Sequence, residues 1–422
     1  MSAFDIGALL LVLATAIGII NERYLHLPNV IAQLLGALAV SIILLAIARV
    51  TGHSQFAVVL QRRVEDAHLP KILLDGVLAL LLFAASLQTD VSSLRRNAAS
   101  VFCLATLGVI LSCTVFTLLF WAILQICGMP IPLSWCFVLG AILAPTDAVA
   151  VEELLSKSAL PESLKTIVVG ESLFNDGTAI VLFLASLAIL TGQHDVLGNG
   201  HLLYAMVVEG GGGAVLGLVT GLAASFIISM VRDDEIAIFG SLALALGTYR
   251  LASAFELSAP VAVVCCGILL SNRLAPGEKL RRAKLNECWS LVDGLLNVFL
   301  FMLLGFEILT LNFSPLALLS AAVAIPLAFI ARYFSIVLPF SIFGFGLRGD
   351  RRIPILMTWL GLRGAISVAL TQVVSDTGAY RDALVAACYA VVIFTIVFQG
   401  LLAPKVIRGL LSQDDRRLNT AP

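Results

Sequence analysis

Apolar residues in this chain come in long blocks separated by short polar stretches. A membrane hydrocarbon core about 30 Å thick takes roughly 20 residues of helix to cross. By that ruler the blocks divide into thirteen spans, near residues 5–20, 29–50, 71–88, 99–127, 133–154, 164–191, 201–231, 235–254, 257–273, 290–310, 315–343, 353–376 and 382–411. The pattern predicts an all-α membrane protein. Segments 99–127 and 201–231 are long enough to tilt or kink. Ser54–His68 is shorter and interleaves Phe56, Val58, Val59, Leu60 and Val64 with charges, so it reads as a segment lying on the membrane surface.

Charge sharpens this picture. Of 422 residues, 60% are hydrophobic and 13% charged, where soluble domains carry about 25% charge. With the N-terminus outside and thirteen crossings, eighteen of the 26 Lys and Arg residues fall in inside loops and six outside; Arg332 and Arg363 lie within spans. That asymmetry follows the positive-inside rule and predicts a multi-pass protein of the cell membrane with a cytoplasmic C-terminus. The net charge of −1 says nothing about partners because the charges are segregated by loop. No basic, aromatic-interleaved patch points to nucleic acid. The first apolar run lacks a basic flank and a small-residue cleavage site and reads as a retained span. The polar tail after Leu411 is short, so one transporter unit over residues 1–422 is expected, without a soluble regulatory domain. Eight cysteines without a CxxC pair read as small buried hydrophobes, and the five histidines have no metal-ligand spacing. No cofactor is expected.

Two spans are interrupted where polar groups sit. The fifth contains Ala144-Pro145-Thr146-Asp147-Ala148, and its proline removes a backbone donor. The twelfth contains Gly361-Leu362-Arg363-Gly364-Ala365, with two glycines flanking an arginine. If spans 1–6 and 8–13 are two copies of one unit, the breaks occupy the same place in each. An odd number of spans separates them, so the copies are inverted. Interrupted segments at corresponding positions point to a transporter's substrate site. Pro and Gly are common in membrane helices, but here each break coincides with a buried charge.

The sixth span carries Gly170-Glu171-Ser172-Leu173-Phe174-Asn175-Asp176-Gly177. Ionised groups at that depth cost several kcal/mol and are kept to pair, to line water or to handle ions. Ser172 and Asp176 share a helix face at i, i+4, and Glu171 and Asn175 share the adjacent stripe. Asp176 and Ser172 supply oxygen ligands for a small hard cation, with Thr146 and Asp147 from the broken span. Asp176 can hold either a proton or a metal ion, the minimal device for exchange. Glu171 needs a cation, and Arg363 is the expected partner; Asn175 is expected to brace the break. A polar packing network between helices is the competing reading.

These motifs resemble a known family. Gly170 to Phe183 (GESLFNDGTAIVLF), Ala144 to Val149 (APTDAV) and Gly361 to Ile366 (GLRGAI) resemble the NhaP-type monovalent cation:proton antiporters, relatives of the sodium–proton exchangers. Leu303 to Glu307 (LLGFE), after Asn297, is a weaker match. The resemblance covers roughly residues 5–410. It implies a homodimer in the lipid bilayer that exchanges sodium or lithium for protons by an elevator-like motion. It implies core translocation helices near 71–191 and 290–411 and dimerisation helices near 5–50 and 201–273. The Asn175-Asp176 pair implies electroneutral one-for-one exchange. The family's ion-binding aspartate falls on Asp176, and its ion-site partners fall on Thr146, Asp147 and Ser172. Its bracing asparagine falls on Asn175, its ion pair on Glu171 with Arg363, and an arginine of unassigned role on Arg332. One departure stands out: many relatives carry an acid in the third span, where this chain has Leu82-Phe83-Ala84-Ala85. Asp75 is too far away to replace it, which bears on ion selectivity and pH response.

Other features carry less. Gly213, Gly217 and Gly221 form a GxxxGxxxG stripe read as close helix packing, with dimer contact as a second reading. Asp293 and Asn297 are one turn apart; Asn297 faces the core site or makes a packing hydrogen bond. The basic run Lys279–Lys284 is a topology signal, with anionic lipid binding as a weaker reading. Potassium–proton exchange would use the same site and is not excluded by sequence. An intramembrane aspartyl protease is disfavoured because no YD or GxGD motif occurs. A passive channel is disfavoured by a titratable carboxylate beside a helix break.

Overall fold

The computed structural model describes residues 3–51, 76–156, 160–192, 205–231, 233–273, 279–307, 314–343, 352–374 and 380–418. The surface segment expected at Ser54–His68 and the first residues of the third span lie outside the described residues. Every regular element among the described residues is helical.

The helices follow the apolar blocks in order. They are α1 (Ala3–Ile20), α2 (Asn29–Thr51), α3 (Leu78–Gln88), the short α4 (Val91–Arg96) and α5 (Ala98–Ile126). The fifth span is split into α6 (Leu133–Ile142) and α7 (Ala148–Ser156). Then come α8 (Glu162–Leu190), α9 (Gly211–Met230), α10 (Asp234–Ala254), α11 (Ala259–Arg273), α12 (Lys279–Glu307) and α13 (Pro315–Phe343). The twelfth span is split into α14 (Arg352–Trp359) and α15 (Ala365–Val373), and α16 (Arg381–Leu410) closes the fold. Among the described residues eight helices are long and apolar enough to cross a membrane alone. The other crossings are the shorter apolar helices α2, α3 and α11 and the two split spans. The fold is that of an all-α membrane protein with discontinuous fifth and twelfth spans.

Local signals explain several boundaries. α1 runs through a wider turn at Asn21–Leu25 and stops at His26, in the left-handed region at φ 54°. The Asn21 side chain then donates to the Leu27 carbonyl and accepts from the Leu27 N–H, both at 2.9 Å, which folds α2 back toward α1. Asp90 caps α4 by accepting from the N–H groups of Ser92 and Ser93. The Ser92 hydroxyl, with those N–H groups, holds the Asp90 carboxyl below the usual carboxylate range.

Helix pairings follow an inverted repeat. The second span packs on the tenth (α2 on α12), and its counterpart, the ninth, packs on the third (α11 on α3). The fourth span packs on the eleventh (α5 on α13), a pair that maps onto itself. The fifth packs on the sixth (α6 on α8) as the twelfth packs on the thirteenth (α15 on α16). Exchanging each span with the one seven places along therefore reproduces the contacts.

The glycine stripe on α9 faces α11. A Cβ on Gly213 or Gly217 would run into the carbonyls of Ser258 or Ala262, and one on Gly221 would sit 3.0 Å from the Cys266 carbonyl. The stripe thus packs backbone against backbone within the chain, as small-residue motifs do in membranes. Most apolar core residues fall into two clusters. One joins α5, α6, α8, α13 and α16, and the other joins α3, α10, α11 and Trp289 of α12. Apolar residues of the split spans, among them Leu143, Ala144, Leu360 and Leu362, belong to the first.

Candidate ion-binding site

Pro145 follows α6 and cannot donate a helical hydrogen bond, so the chain leaves the helix at residues 143–147 before α7 begins. Leu360–Gly364 does the same between α14 and α15. The two extended stretches cross: the Asp147 N–H donates to the Leu362 carbonyl at 2.8 Å. Gly364 is required there because a Cβ would be built into the Asp147 carboxylate. Asp147 also caps α7, its Oδ1 accepting from the Ala150 N–H at 3.1 Å. The crossing gathers four half-helix ends, two positive (α7, α15) and two negative (α6, α14).

Arg363 answers the negative end of α6. Its guanidinium donates to the carbonyls of Ala144 and Pro145, the latter at 2.8 Å, and its backbone N–H donates to Thr395 Oγ1 at 3.1 Å. The sequence expectation of a Glu171–Arg363 ion pair is therefore corrected. Glu171 is fully buried and is held by Arg332 of α13, which donates to both carboxylate oxygens, Nη2 to Oε2 at 2.8 Å. The physical reason is that a helix break creates acceptors of its own. The Ala144 and Pro145 carbonyls, left open where the chain leaves the helix, compete for a guanidinium as effectively as a carboxylate does once that carboxylate has another cation. Gly361 makes room for this arrangement, since a Cβ there would sit 2.6 Å from Arg332 Nε.

On α8 the polar stripe divides into two tasks. Asn175 Nδ2 donates to Thr146 Oγ1 at 2.7 Å, and Ser172 Oγ lies 2.8 Å from the same hydroxyl. Together they pin the broken fifth span to the sixth helix, the bracing expected of Asn175. Asp176 is only 2% exposed, and its Oδ1 has no hydrogen-bond partner. It borders a small cavity of about 40 Å³ lined by Pro145, Thr146, Asp147, Asp176, Asn297 and Ser367, among others. That volume holds a few water molecules at most. Ser172 is not in that lining; it touches the site through Thr146.

Carboxylate, hydroxyl and amide oxygens around a space of this size suit a small hard cation or a proton. Asn297 lines the cavity and also hydrogen-bonds the Asp293 side chain, so both of its sequence readings stand. Sequence reasoning missed Ser367. Its Oγ is buried without a partner and faces the cavity lining from the first turn of α15. The available signal was a hydroxyl just beyond the GLRGAI break, on the counterpart of the half-helix that follows Asp147.

Comparison with known proteins agrees with this architecture. Residues 9–409 match the sodium/hydrogen exchanger transmembrane family. A Na(+)/H(+) antiporter, NhaP, of Pseudomonas aeruginosa is 32% identical over 415 residues, covering 96% of each chain. NhaH of Halobacillus dabanensis is 30% identical over 289 residues, covering 67% of this chain and 70% of its own. The solved structure of the sodium proton antiporter MjNhaP1 from Methanocaldococcus jannaschii at pH 8 superposes with a TM-score of 0.76 at 20% identity, covering 97% of this chain and 98% of that one. On its family match, its relatives and its fold, this chain belongs to the sodium/hydrogen exchanger family, with the NhaP-type antiporters among its relatives.

Proposed function

We propose that this protein is a secondary antiporter that exchanges sodium or lithium for a proton, one for one, with Asp176 as the shared carboxylate. One observation carries the reading: a carboxylate buried at the crossing of two broken helices, with one oxygen unpartnered and a cation-sized space beside it. Left ionised and empty, such a group is costly in low dielectric. Loaded with a proton or an alkali ion it is neutralised, and only the loaded site moves readily between the two faces of the membrane. Asp147, Thr146, Ser367 and Asn297 complete the oxygen shell, and Ser172 and Asn175 hold Thr146 in place. Glu171 and Arg332 lock α8 to α13, and Arg363 neutralises the broken end of α6.

The relative from Pseudomonas aeruginosa is named a sodium–proton antiporter, which supports the choice of ions. We assign the N-terminus to the outside and the C-terminus to the cytoplasm on the distribution of Lys and Arg. Movement of helices 71–191 and 290–411 as an elevator, and dimerisation through 5–50 and 201–273, follow from the family resemblance. Among the eight long described spans, α1 and α9 have the smallest buried share within the chain, which leaves apolar faces for lipid or a second copy.

The test is reconstitution into vesicles with an internal pH dye and pulses of sodium, lithium, potassium and choline chloride. Alkalinisation on sodium or lithium that is absent in Asp176→Asn supports the reading. A response to potassium alone assigns the site to potassium instead. Equal rates with every salt contradict the proposal.

A further inference from the structure

A second cavity adjoins the Asp176 site. It encloses about 600 Å³, and its lining includes Gln33, Gln88, Glu152, Asp293 and Asn297. Ala85 and Asn297 line both cavities, so the two share that wall. The larger one collects the N-terminal part of α2, the C-terminal part of α3, the middle of α12 and Glu152 of α7. The α2 and α3 ends fall on the cytoplasmic side in the orientation set by Lys and Arg.

Its chemistry is one-sided. Two carboxylates line it, Glu152 and Asp293, close enough to act on each other electrostatically, and Asp147 also acts on Asp293. Among the described residues no Lys, Arg or His lines it, and neither acid forms an ion pair. Asp293 Oδ1 is buried with no hydrogen-bond partner. Gln33 adds an independent sign. It is 6% exposed, its Nε2 is fixed by donation to the Ala14 carbonyl at 3.0 Å, and its Oε1 has no partner. A buried amide oxygen left without a donor is costly, and a cation or its hydration water removes that cost.

We propose that Glu152, Asp293 and Gln33 form a second, outer site for an alkali metal cation, where the ion is held before passing to Asp176. Every donor is a hard oxygen, suited to sodium or lithium. A cavity of about 600 Å³ leaves the ion most of its water, so binding is weaker than at the inner space of about 40 Å³. Two like charges facing one cavity attract cations from solution and raise their local concentration. Among the described residues the third span contributes Leu81, Leu82, Ala85 and Gln88 to the two linings and no carboxylate, so Glu152 of α7 and Asp293 of α12 supply the negative charge there.

The outer site serves the exchange proposed above, but its test is independent of that reading. The probe is equilibrium binding of radioactive sodium to purified full-length protein, with thermal melting as the folding check. Asp176→Asn removes the inner carboxylate and is expected to keep one weak sodium-binding event. Adding Glu152→Gln and Asp293→Asn is expected to abolish it, and adding Gln33→Leu to weaken it several-fold. In vesicles, Glu152→Gln is expected to raise the KM for sodium several-fold and to change kcat less. The half-buried Glu152 keeps the test available through its single variant if the combined one does not fold. A folded Asp176→Asn protein that binds no sodium, or binding unchanged by the outer substitutions, overturns the outer site. Sodium exchange retained by Asp176→Asn counts against the inner assignment alone.

Discussion

The Arg332 guanidinium holds both carboxylate oxygens of Glu171, 161 residues earlier in the chain, and the pair is buried between α13 and α8. Arg363, the other arginine in the membrane core, spends its donors on two backbone carbonyls. This division of labour separates a lock between helices from the dressing of a helix break.

Removing one partner of a buried ion pair costs about 3–5 kcal/mol because the other charge is stranded. Arg332→Ala is expected to lower the melting temperature sharply, and adding Glu171→Gln is expected to restore much of it. Arg363→Ala leaves two carbonyls without donors, at about 1–3 kcal/mol each. Glu171→Gln is not expected to rescue it. Melting curves of the four variants in one detergent check both statements; rescue of Arg363→Ala by Glu171→Gln would restore the pairing first expected from sequence.

Asp176→Asn removes a buried carboxylate and keeps its shape. Exchange is expected to disappear while the melting temperature stays level or rises, because the cost of burying an ionisable group is gone. The two measurements together distinguish a lost site from a lost fold.

Ser367 offers the cavity an oxygen that no other group uses. Ser367→Ala is expected to raise the KM for sodium by a few-fold, on the order of 1 kcal/mol for one neutral ligand. Vesicle transport at graded sodium concentrations reads this directly, and an unchanged KM removes Ser367 from the ion shell.

Gly364 lies where a Cβ would enter the Asp147 carboxylate, and Gly217 where one would enter the Ala262 carbonyl. Gly364→Ala is expected to abolish transport by displacing Asp147 from the crossing. Gly217→Leu is expected to separate α9 from α11 and lower stability. Transport assays and melting curves distinguish a damaged site from a damaged scaffold.

One-for-one exchange moves no net charge. The rate in vesicles is therefore expected to be the same at zero membrane potential and at a potential set with valinomycin and potassium. A rate that scales with the potential would show that net charge crosses in each cycle.

The spans, the two breaks and the polar stripe on α8 were legible in the sequence because each depends on local chemistry. About 20 apolar residues span a bilayer wherever they occur, Pro145 removes a backbone donor from any helix, and Ser172 and Asp176 share a face of any helix that contains them. The choice of partners was not local. Glu171 had two arginines within the membrane to pair with, and side-chain charges alone leave out the Ala144 and Pro145 carbonyls that the helix break opens. Only the packing of α13 against α8, and of residues 360–364 across residues 143–147, brought each guanidinium to its own acceptors. The same holds for Gln33, Glu152 and Asp293. They are remote along the chain and unremarkable in their own helices, and they meet only where α2, α7 and α12 pack around one cavity.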